Sequence, residues 1–481
     1  MLFSSNIFVF IFLPIVLLIY YGILRRIAIR NIFLFAASLF FYAWGEPYFV
    51  LIMLLSIVVN YFFGIWVYAH QQKKQVKPKA ALVLTIIFNL SLLFVFKYLG
   101  FFIVNINQLF STSLHVPEVH LPIGISFFTF QAMSYVIDIY RGQGNVQKNP
   151  LNVGLYISLF PQLVAGPIIR YNSIEHQIKE RKETFANFSS GVYLFTIGFA
   201  KKILLANPLA ILADKAFTAT PLGDLSVSLS WLGAIAYTMQ IYYDFSGYSD
   251  MAIGLGRMFG FNFGKNFDYP YISKSITEFW RRWHISLGQW FRDYVYFPLG
   301  GSKGLSKRRI IINLFIVWSL TGIWHGASWN FVLWGLFYFA LLCFEKFTFF
   351  GKYLNKREIS KTPSCLLHLY TMLCVMLGWV LFRADNLGHA LKYMLSMFGL
   401  AGNRVLDPVT DFYLGENIFY LLAASLLATP IIRIINTKID AYPMLKRSVN
   451  YIIPFIMAVI FLVCISYLVK GTYNPFIYFN F

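Results

Sequence analysis

The sequence predicts an all-α, polytopic integral membrane protein with about 10–12 transmembrane helices and additional re-entrant and interfacial helices. Of the 481 residues, 58% are hydrophobic and 12% are charged, whereas soluble domains average about 45–50% and about 25%. Runs near or above the roughly 20 residues that a helix needs to cross hydrocarbon also recur without charges. Because a soluble fold cannot bury this much apolar surface, the runs are predicted to be spans; the clearest lie at 7–24, 48–69, 80–96, 310–344 and 450–469.

The first apolar run is predicted to be a retained span whose N-terminus lies outside the cytoplasm. No basic region precedes it, no small-residue cleavage site follows it, and basic residues occupy positions 25, 26 and 30 directly after it. From this cytoplasmic position a short span at 31–44 runs outward and the run at 48–69 returns. The lysine cluster at 73–79 then falls on the cytoplasmic side, as the positive-inside rule requires.

Basic residues give the chain a formal charge of +20, yet they form short clusters between apolar runs and no continuous face. This pattern is typical of loops that flank membrane spans, and the aromatic residues lie inside the spans, so a nucleic-acid-binding protein is excluded. The four cysteines lie in or beside apolar runs without CxxC spacing. Neither a disulfide framework nor a metal site is therefore predicted.

Two stretches that combine polar residues with helix breakers are predicted to line a cavity. Residues 122–140 contain Gly124, Gln131 and Asp138, and residues 151–168 contain two prolines. At membrane depth, broken and polar segments must be shielded from lipid by other protein.

The later part of the chain divides into a polar region and further spans. Hydrophobicity falls between residues 262 and 309 while basic residues accumulate, so we expect an interfacial region on the cytoplasmic surface. Spans are predicted at 366–382 and 418–436, ahead of the run at 450–469. No internal repeat or low-complexity linker divides the chain, and residues 1–481 are interpreted as one membrane domain.

Residues 280–294 (WRRWHISLGQWFRDY) are predicted to form one amphipathic helix at the membrane surface. Helical spacing places Trp283, Leu287, Trp290, Phe291 and Tyr294 on one side and Arg281, Arg282, Gln289, Arg292 and Asp293 on the other. His284 falls at the edge of the aromatic side and faces inward. A structural histidine that hydrogen-bonds a neighbour and a functional histidine are both open interpretations of this position.

Residues 310–344 are expected to carry the chemistry, because the ionisable His325 lies within an uncharged run. At about 1.5 Å per helical residue, His325 is some 24 Å from Arg309, well inside a hydrocarbon core of about 30 Å unless the segment bends back. Histidines at this depth usually face a cavity, a partner or a reaction path. Gly322 and Gly326 bracket His325 and allow a helix break. A hairpin that enters from the cytoplasm and a broken crossing both fit the length of this segment.

A neutral imidazole at membrane depth is a suitable general base for taking a proton from a hydroxyl, and acyl transfer from a thioester to an alcohol needs such a base. The developing oxyanion also needs a hydrogen-bond donor, for which Trp324, Trp329, Asn330 or backbone N–H groups are candidates. No GxSxG motif occurs, and no serine or cysteine has an evident base beside it in sequence. Direct transfer is therefore favoured over a covalent acyl-enzyme.

Five ordered blocks resemble the membrane-bound O-acyltransferase family, and specifically the branch of the alginate O-acetyltransferase membrane subunit. The resemblance runs nearly from end to end of the chain. The blocks are LPIGISFFTFQAMSY (121–135), LFPQLVAGPIIRY (159–171), YYDFSGYSDMAIGLG (242–256), SITEFWRRWHISLGQWFRDYVYFPLGG (275–301) and WHGASW (324–329).

The resemblance implies a ring of helices around a central funnel in a multi-pass protein of the inner or plasma membrane. It implies that His325 is catalytic and that His284 lines the tunnel near the donor thioester, acetyl-CoA or another acyl thioester, with no permanently bound cofactor. It also implies a polysaccharide acceptor on the outer face, such as alginate or a cell-wall glycan. The transfer onto that polymer is expected to need an extracytoplasmic partner that resembles an acetyltransferase or an esterase. The tunnel candidates are Trp280, Arg281, Arg282, Trp283, Asp244, Asp250, Trp324, Trp329 and Asn330.

Several of these residues have plainer interpretations. Carboxylates such as Asp244 and Asp250 are costly in an apolar segment without a partner, so a structural ion pair, for instance with Arg257, is preferred over orientation of a histidine. Arg281 and Arg282 can bind donor phosphates, but anionic lipid is their default partner. The remaining histidines are interpreted as loop or interface residues without chemistry: His70, His115, His120, His176, His368 and His389.

Three alternative functions stay open. The sister branch that transfers D-alanine to teichoic acids shares the histidine blocks, so a D-alanyl donor is an alternative. A transporter also combines polar breaks with a buried histidine, although no inverted pair of broken helices is evident. A scaffold subunit of a polysaccharide export system would leave both histidines structural, and His325→Ala would then leave acetylation intact.

Overall fold

The computed structural model describes residues 1–72, 78–218, 225–348, 364–471 and 473–477, and within these ranges it is helical with no β-strand, which confirms the all-α prediction. The helices are α1 (Phe8–Ile23), α2 (Ile27–Ala43), α3 (Val50–Gln72), α4 (Lys79–Phe110), α5 (Ile125–Arg141), α6 (Pro150–Ser158), α7 (Phe160–Leu163), α8 (Tyr171–Glu180), α9 (Phe185–Phe217), α10 (Val227–Met258), α11 (Ile276–Arg282), α12 (Ile285–Phe291), α13 (Lys307–His325), α14 (Trp329–Phe347), α15 (Ser364–Arg383), α16 (Leu387–Met397), α17 (Pro408–Leu427), α18 (Ile431–Asp440) and α19 (Pro443–Val469).

The protein is a multi-pass membrane protein, as predicted. Within the described ranges, six helices are long and apolar enough to cross a membrane, namely α3, α4, α9, α14, α15 and α19, and the bent pair of α17 and α18 would make seven. Two shorter apolar helices, α1 and α2, lie near the N-terminus. The total of about 10–12 crossings stays a prediction, and most of the lysine cluster at 73–79 lies outside the described residues.

Helix α9 is long and apolar enough to span a membrane, although the apolar runs did not predict it. Lys201 and Lys202 interrupt its hydrophobic stretch. The Nζ atom of Lys202 lies 2.7 Å from Oδ1 of Asp244 on α10, and both side chains are buried. An ion pair of this kind lets a charged side chain lie inside a membrane protein, so the lysine interrupts the hydropathy pattern without ending the helix.

The span predicted at 418–436 is bent in the structure and consists of two helices. Helix α17 ends at Leu427, α18 begins at Ile431, and the two axes differ by 56°. Pro430 stands between them. A proline cannot donate a backbone hydrogen bond and its ring clashes with the preceding turn, which accounts for a sharp bend at this position.

The stretch at 122–140 was predicted to be broken, and beyond Gly124 this is wrong. Gly124 adopts a left-handed conformation (φ 74°) just before α5, which then continues for 17 residues without interruption. The polar Gln131 and Asp138 lie within the helix. Every residue from 125 to 139 is buried, which confirms that the segment is shielded by protein. The stretch at 151–168 is interrupted as expected, because α6 ends at Ser158 and Pro161 lies in the separate turn α7.

The described residues form two compact units. The first comprises residues 1–195 and 248–264, and the second comprises residues 196–247 and 265–481. In the first unit, Arg181 donates hydrogen bonds to Oδ1 of Asn31 (2.6 Å) and to the hydroxyl of Tyr20 (2.9 Å). Buried networks of this kind satisfy polar groups that lipid cannot.

In the second unit, α13 and α14 form a tight antiparallel hairpin with a three-residue turn. The helices meet at glycines: a Cβ atom on Gly322 would collide with the carbonyl oxygen of Phe331, and one on Gly335 would collide with that of Trp318. Gly322 meets Phe331 near the turn, and Trp318 meets Gly335 farther from it, so the two helices run antiparallel. Residues 310–344 thus form a helical hairpin with His325 at its tip, and the side of the membrane from which it enters stays a prediction.

Candidate active site

His284 separates two short helices, so the prediction of one continuous helix over residues 280–294 is wrong. Helix α11 ends at Arg282, Trp283 is extended, and His284 adopts a left-handed conformation with φ 43° and ψ 53° just before α12. A left-handed conformation costs a non-glycine residue about 1–2 kcal/mol. Of the residues predicted for the aromatic side, Trp283, Leu287, Trp290 and Phe291 are buried, whereas Arg281 and Arg292 of the predicted polar side are exposed.

Asn266 accounts for the break. Its backbone oxygen accepts a hydrogen bond from Ile285 N (2.9 Å), and its Oδ1 accepts from Ser286 N (3.2 Å) and Ser286 Oγ (2.9 Å). These are backbone N–H groups that have no partner within a helix at its first turn. An asparagine distant in sequence therefore caps α12 and holds His284 in its strained conformation.

The same amide fixes the tautomer of His284. Asn266 Oδ1 accepts hydrogen bonds from the backbone N–H and the hydroxyl of Ser286. If the amide were flipped, its NH₂ group would face the backbone N–H of Ser286, and two donors would oppose each other. The atom facing His284 Nδ1 at 3.2 Å is therefore an oxygen, and Nδ1 donates its proton to it. The lone pair for proton transfer is consequently on Nε2, which is buried and has no hydrogen-bond partner among the described residues.

Burial also sets the charge of His284. The side chain is 2% exposed, and the ring of Phe245 packs against it at right angles with 4.7 Å between centroids. Loss of hydration lowers the pKa of His284 well below that of a solvated imidazole. The ring is thus neutral at physiological pH, with Nε2 available as a base or as a hydrogen-bond acceptor.

His325 is the last residue of α13 and is also buried. Three aromatic rings surround it: the centroids of Trp324 and Trp334 each lie 4.9 Å away, and that of Phe382 lies 5.2 Å away. Helix α14 begins four residues later, at Trp329, and the side chain of its N-cap residue, Ser328, makes no capping hydrogen bond. His325 therefore lies close in sequence to the positive end of a helix dipole.

The structure brings the two histidines into one cluster. The Trp324 ring is 4.9 Å from that of His325 and 6.2 Å from that of His284, so Trp324 contacts both. Trp280 and Trp283 belong to the same group of rings. We call this the aromatic cluster; it consists of Phe245, Trp280, Trp283, Trp318, Trp324, Trp334, Tyr338, Trp379 and Phe382.

A cavity of about 530 Å³ adjoins the His284 side of the cluster. His284, Trp280 and Trp283 line it together with Arg281 and Arg292. Its walls are mainly aromatic and aliphatic, and both arginines are exposed. This combination suits an elongated ligand that has an apolar portion and an anionic end.

Glu345 on α14 anchors the helix that carries this cavity wall. Its Oε1 accepts from Ile276 N (2.6 Å), and its Oε2 accepts from Thr277 N (2.9 Å) and Thr277 Oγ1 (2.6 Å). The carboxylate thereby satisfies the first N–H groups of α11, where negative charge also complements the helix dipole. Trp280 lies on the next turn of this helix.

Other predicted tunnel residues lie outside this arrangement. Arg282 pairs with Glu278 (2.9 Å) and is absent from the cavity lining. Asn330 Nδ2 donates to the carbonyl oxygen of Ala384 (2.5 Å), and Trp329 is 55% exposed. The Asn330 amide is therefore already engaged and is a poor candidate for oxyanion stabilisation.

The two aspartates have different environments. Asp244 pairs with Lys202 and accepts from Ile477 N (2.9 Å), which supports the structural ion pair but corrects its expected partner from an arginine to a lysine. Asp250 belongs to the first unit, whereas both histidines belong to the second.

Sequence reasoning missed four residues that contact or support the histidines: Asn266, Trp334, Phe382 and Glu345. Asn266 lies in a loop whose sequence has no distinctive pattern, and Phe382 is remote in sequence from both histidines. Neither residue could therefore be assigned to the site from the sequence. Glu345 did carry one, because it ends an otherwise uncharged run and a carboxylate there needs donors.

The chain was compared with known proteins. Residues 39–382 match the sequence model of the membrane-bound O-acyltransferase family. A probable alginate O-acetylase of Azotobacter vinelandii is 42% identical over 83% of this chain and 78% of that protein. A peptidoglycan O-acetyltransferase of Helicobacter pylori is 35% identical over 84% of this chain and 80% of that protein. A teichoic acid D-alanyltransferase of Bacillus subtilis is 30% identical, over 61% and 79% respectively.

Proposed function

This chain belongs to the membrane-bound O-acyltransferase family, and on that premise we propose that it transfers an acetyl group from a cytoplasmic thioester to a hydroxyl group for the O-acetylation of a polysaccharide outside the cytoplasm. The observation that carries the proposal is the burial of His284 and His325 in one aromatic cluster, joined through Trp324 and opening to a cavity on the His284 side.

In the proposed reaction, His325 acts as the general base. The acceptor hydroxyl oxygen attacks the carbonyl carbon of the thioester while its proton passes to the imidazole. The tetrahedral intermediate then collapses, the carbon–sulfur bond breaks, and the imidazolium returns the proton to the leaving sulfur. An acetyl ester and a free thiol are the products, and the histidine is regenerated.

The N-terminus of α14 is the proposed site of oxyanion stabilisation. Its first N–H groups lack partners within the helix, and they follow His325 closely in sequence. Donors directed at a developing oxyanion in a water-poor site contribute about 10²–10³-fold to the rate. The buried Nε1 of Trp334 has no hydrogen-bond partner among the described residues and is a second candidate donor beside His325.

His284 is proposed to position the acyl donor. Its Nε2 accepts a hydrogen bond from an amide N–H of the donor, because Asn266 holds the proton on Nδ1. The cavity lined by Trp280 and Arg281 accommodates the elongated, phosphate-bearing portion of acetyl-CoA or another acyl thioester. In this proposal Arg281 binds the phosphate groups of the donor and not anionic lipid.

The basic start of α13 orients the hairpin in this proposal. Lys307, Arg308 and Arg309 stand at the beginning of the helix, on the cytoplasmic side by the positive-inside rule. His325, at the other end, then faces the outer side, where the polymer and an extracytoplasmic partner resembling an acetyltransferase or esterase receive the acetyl group. We place the protein in the inner or plasma membrane accordingly.

D-alanyl transfer is the second candidate, since a relative with 30% identity is a teichoic acid D-alanyltransferase. Acetyl transfer is favoured because the two relatives named for O-acetylation are more similar and cover more of this chain. A transporter or a non-catalytic scaffold would not need two buried histidines joined by one tryptophan.

The test supplies membrane vesicles containing the protein with radiolabelled acetyl-CoA or with a D-alanyl thioester on a carrier protein. The account predicts base-labile label in polymer from acetyl-CoA and little from the D-alanyl donor. Label from the D-alanyl donor alone would establish the second candidate instead. Equal label with and without the protein would refute both enzyme proposals.

A further inference from the structure

A second cavity in the same unit has no role in the chemistry described so far. It measures about 320 Å³ and lies between α9, α17 and α19 and the residues that follow α19. This is at the small end of the roughly 300–1,000 Å³ typical of small-molecule sites. Four tyrosines line it: Tyr413, Tyr420, Tyr467 and Tyr473.

Polar groups accompany the tyrosines. Lys215 extends its ammonium group over the Tyr413 ring, 4.5 Å from the centroid, and Glu416 and Asn417 lie on the same wall. Asn207 is 3% exposed and lines the cavity, and its Oδ1 atom is buried without a hydrogen-bond partner among the described residues. A buried carbonyl oxygen without a donor costs free energy, which a ligand hydroxyl that reaches it would recover.

This mixture of aromatic faces and single polar groups is the chemistry of sugar recognition. The C–H faces of a pyranose ring stack on tyrosine, and its hydroxyls require both donors and acceptors. A phospholipid headgroup instead requires clustered cations, whereas the charged residues that line this cavity are one lysine and one glutamate. One ammonium group beside the tyrosines also suits a sugar that carries a single carboxylate.

The charge distribution of the surrounding helices places the cavity on the outer side of the membrane. Lys215 is near the C-terminal end of α9, Tyr413 is near the start of α17, and Tyr467 is near the end of α19. The opposite ends of α17 and α19 adjoin the basic positions 433, 438, 446 and 447. Basic residues mark the cytoplasmic side, so the tyrosine-lined end faces away from it.

The cavity is also linked to the end of the hairpin that carries His325. Arg383 is the last residue of α15, and its Nη2 atom lies 2.7 Å from Asp214 Oδ1. The hydroxyl of Tyr473 donates to Asp214 Oδ2 (2.8 Å). The neighbouring Phe382 packs on His325. One helix end therefore contacts the histidine and is linked through Asp214 to Tyr473 of the cavity wall.

We propose that this cavity, lined by Tyr413, Lys215 and Asn207, is a saccharide-binding subsite that holds a pyranose unit of the acceptor polymer on the outer side of the membrane. The inference rests on the proposed acetyl transfer to a polysaccharide for the identity of its ligand. Much of the cavity lies beyond residue 382, where the match to the family model ends.

The test is a binding assay on the full-length protein in lipid nanodiscs, with a mannuronate tetrasaccharide and an N-acetylglucosamine tetrasaccharide as probes. We expect at least one probe to bind with a dissociation constant in the millimolar range or below. Tyr413→Ala should weaken that binding at least tenfold. Phe412→Ala removes an exposed neighbouring ring on the same helix that is absent from the cavity lining, and should leave binding unchanged.

Three results would overturn the inference: neither tetrasaccharide binds at millimolar concentration, both variants bind like wild type, or native mass spectrometry finds a phospholipid that Tyr413→Ala alone loses. The assay is independent of acyl transfer. His325→Ala should bind saccharide normally. If saccharide binds and acyl transfer proves not to need His325, the subsite stands and only the proposed chemistry is refuted.

Discussion

At the scale of single residues, hydrogen bonding and burial give the two histidines different tasks. His284 is strained, neutral and oriented by Asn266, and it lines a cavity, whereas His325 lies among aromatic rings at a helix end. A fixed tautomer determines which nitrogen can accept a proton or a hydrogen bond. This arrangement suits one histidine that positions the donor and one that accepts the proton.

Asn266→Ala should lower acyl transfer by on the order of 10-fold or more, because His284 loses its tautomer preference and α12 loses its cap. The rate of transfer by vesicles from labelled acetyl-CoA measures this effect, and Asn262→Ala, an exposed asparagine nearby in sequence, is the control. Equal rates for the two variants would remove Asn266 from the account.

His284 should also make the folded protein sensitive to acid. Its pKa in the folded state is depressed below the unfolded value of 6.5, so the unfolded chain takes up a proton first as the pH falls. Stability should therefore decline from about pH 7 downward, by about 2 kcal/mol at pH 5 for this group. Between pH 7 and pH 5, the midpoint of thermal unfolding in detergent should fall less for His284→Gln than for wild type. An equal fall in the two proteins would contradict this prediction.

At the scale of helices, the hairpin of α13 and α14 determines where His325 lies. Close packing at Gly322 and Gly335 lets the two backbones touch, and Glu345 on the return helix holds the start of α11. A displacement of the hairpin would therefore reach both the His325 turn and the helix that carries Trp280.

Gly322→Ala should destabilise the protein by about 1–3 kcal/mol, because the new methyl group collides with a backbone oxygen that cannot rotate away. Gly415→Ala is the matched control, since a Cβ atom there meets no other atom within 4 Å. The midpoint of thermal unfolding should fall for Gly322→Ala alone. Identical midpoints would show that the helices do not pack as described.

Glu345→Ala should reduce acyl transfer and lower thermal stability, since it removes three hydrogen bonds from the first turn of α11. Hydrogen bonds to charged groups contribute about 1.5–3 kcal/mol each. Lys346→Ala changes the adjacent exposed residue and should behave like wild type. Wild-type activity in Glu345→Ala would mean that this anchor does not position the cavity wall.

The sequence predicted elements best where one physical signal dominated. Long apolar runs located α1, α3 and α15 within a few residues, and the run at 450–469 located the end of α19, which begins seven residues earlier at Pro443. It failed where distant contacts overrode the local pattern: Asn266 splits the predicted helix at His284, and Asp244 pairs with the buried Lys202 in the middle of α9. Neither partner is close enough in sequence for periodicity to reveal it.

At the scale of the whole molecule, the family and the multi-pass architecture were predictable because five motif blocks and the hydropathy agree. The match over residues 39–382 confirms the resemblance. Gly322 and Gly326 indicated a break near His325, but the antiparallel return of α14 depends on tertiary packing of glycines that hydropathy does not register. The two histidines lie 41 positions apart, as their residue numbers give. Their common contact with Trp324 therefore could not be predicted from the sequence pattern either.

The orientation of the chain can be tested with single cysteines in a cysteine-free background. Lys303→Cys, ahead of the basic start of α13, should resist a membrane-impermeant maleimide in intact spheroplasts. Asp385→Cys, just beyond the end of α15, should react, because its side chain is 76% exposed and the hairpin tip contacts the adjacent Ala384. The opposite labelling pattern would invert the proposed topology.

The most direct test of the central claim is the amount of polymer-bound acetate released by mild base from cells that express wild type, His325→Ala or His176→Ala at equal abundance in the membrane. A general base contributes about 10²–10⁴-fold, so acetate in His325→Ala should fall to the level of cells without the protein, while His176→Ala, which removes an exposed histidine side chain, should match wild type. Normal acetylation in His325→Ala would contradict the account and leave His325 as a structural residue.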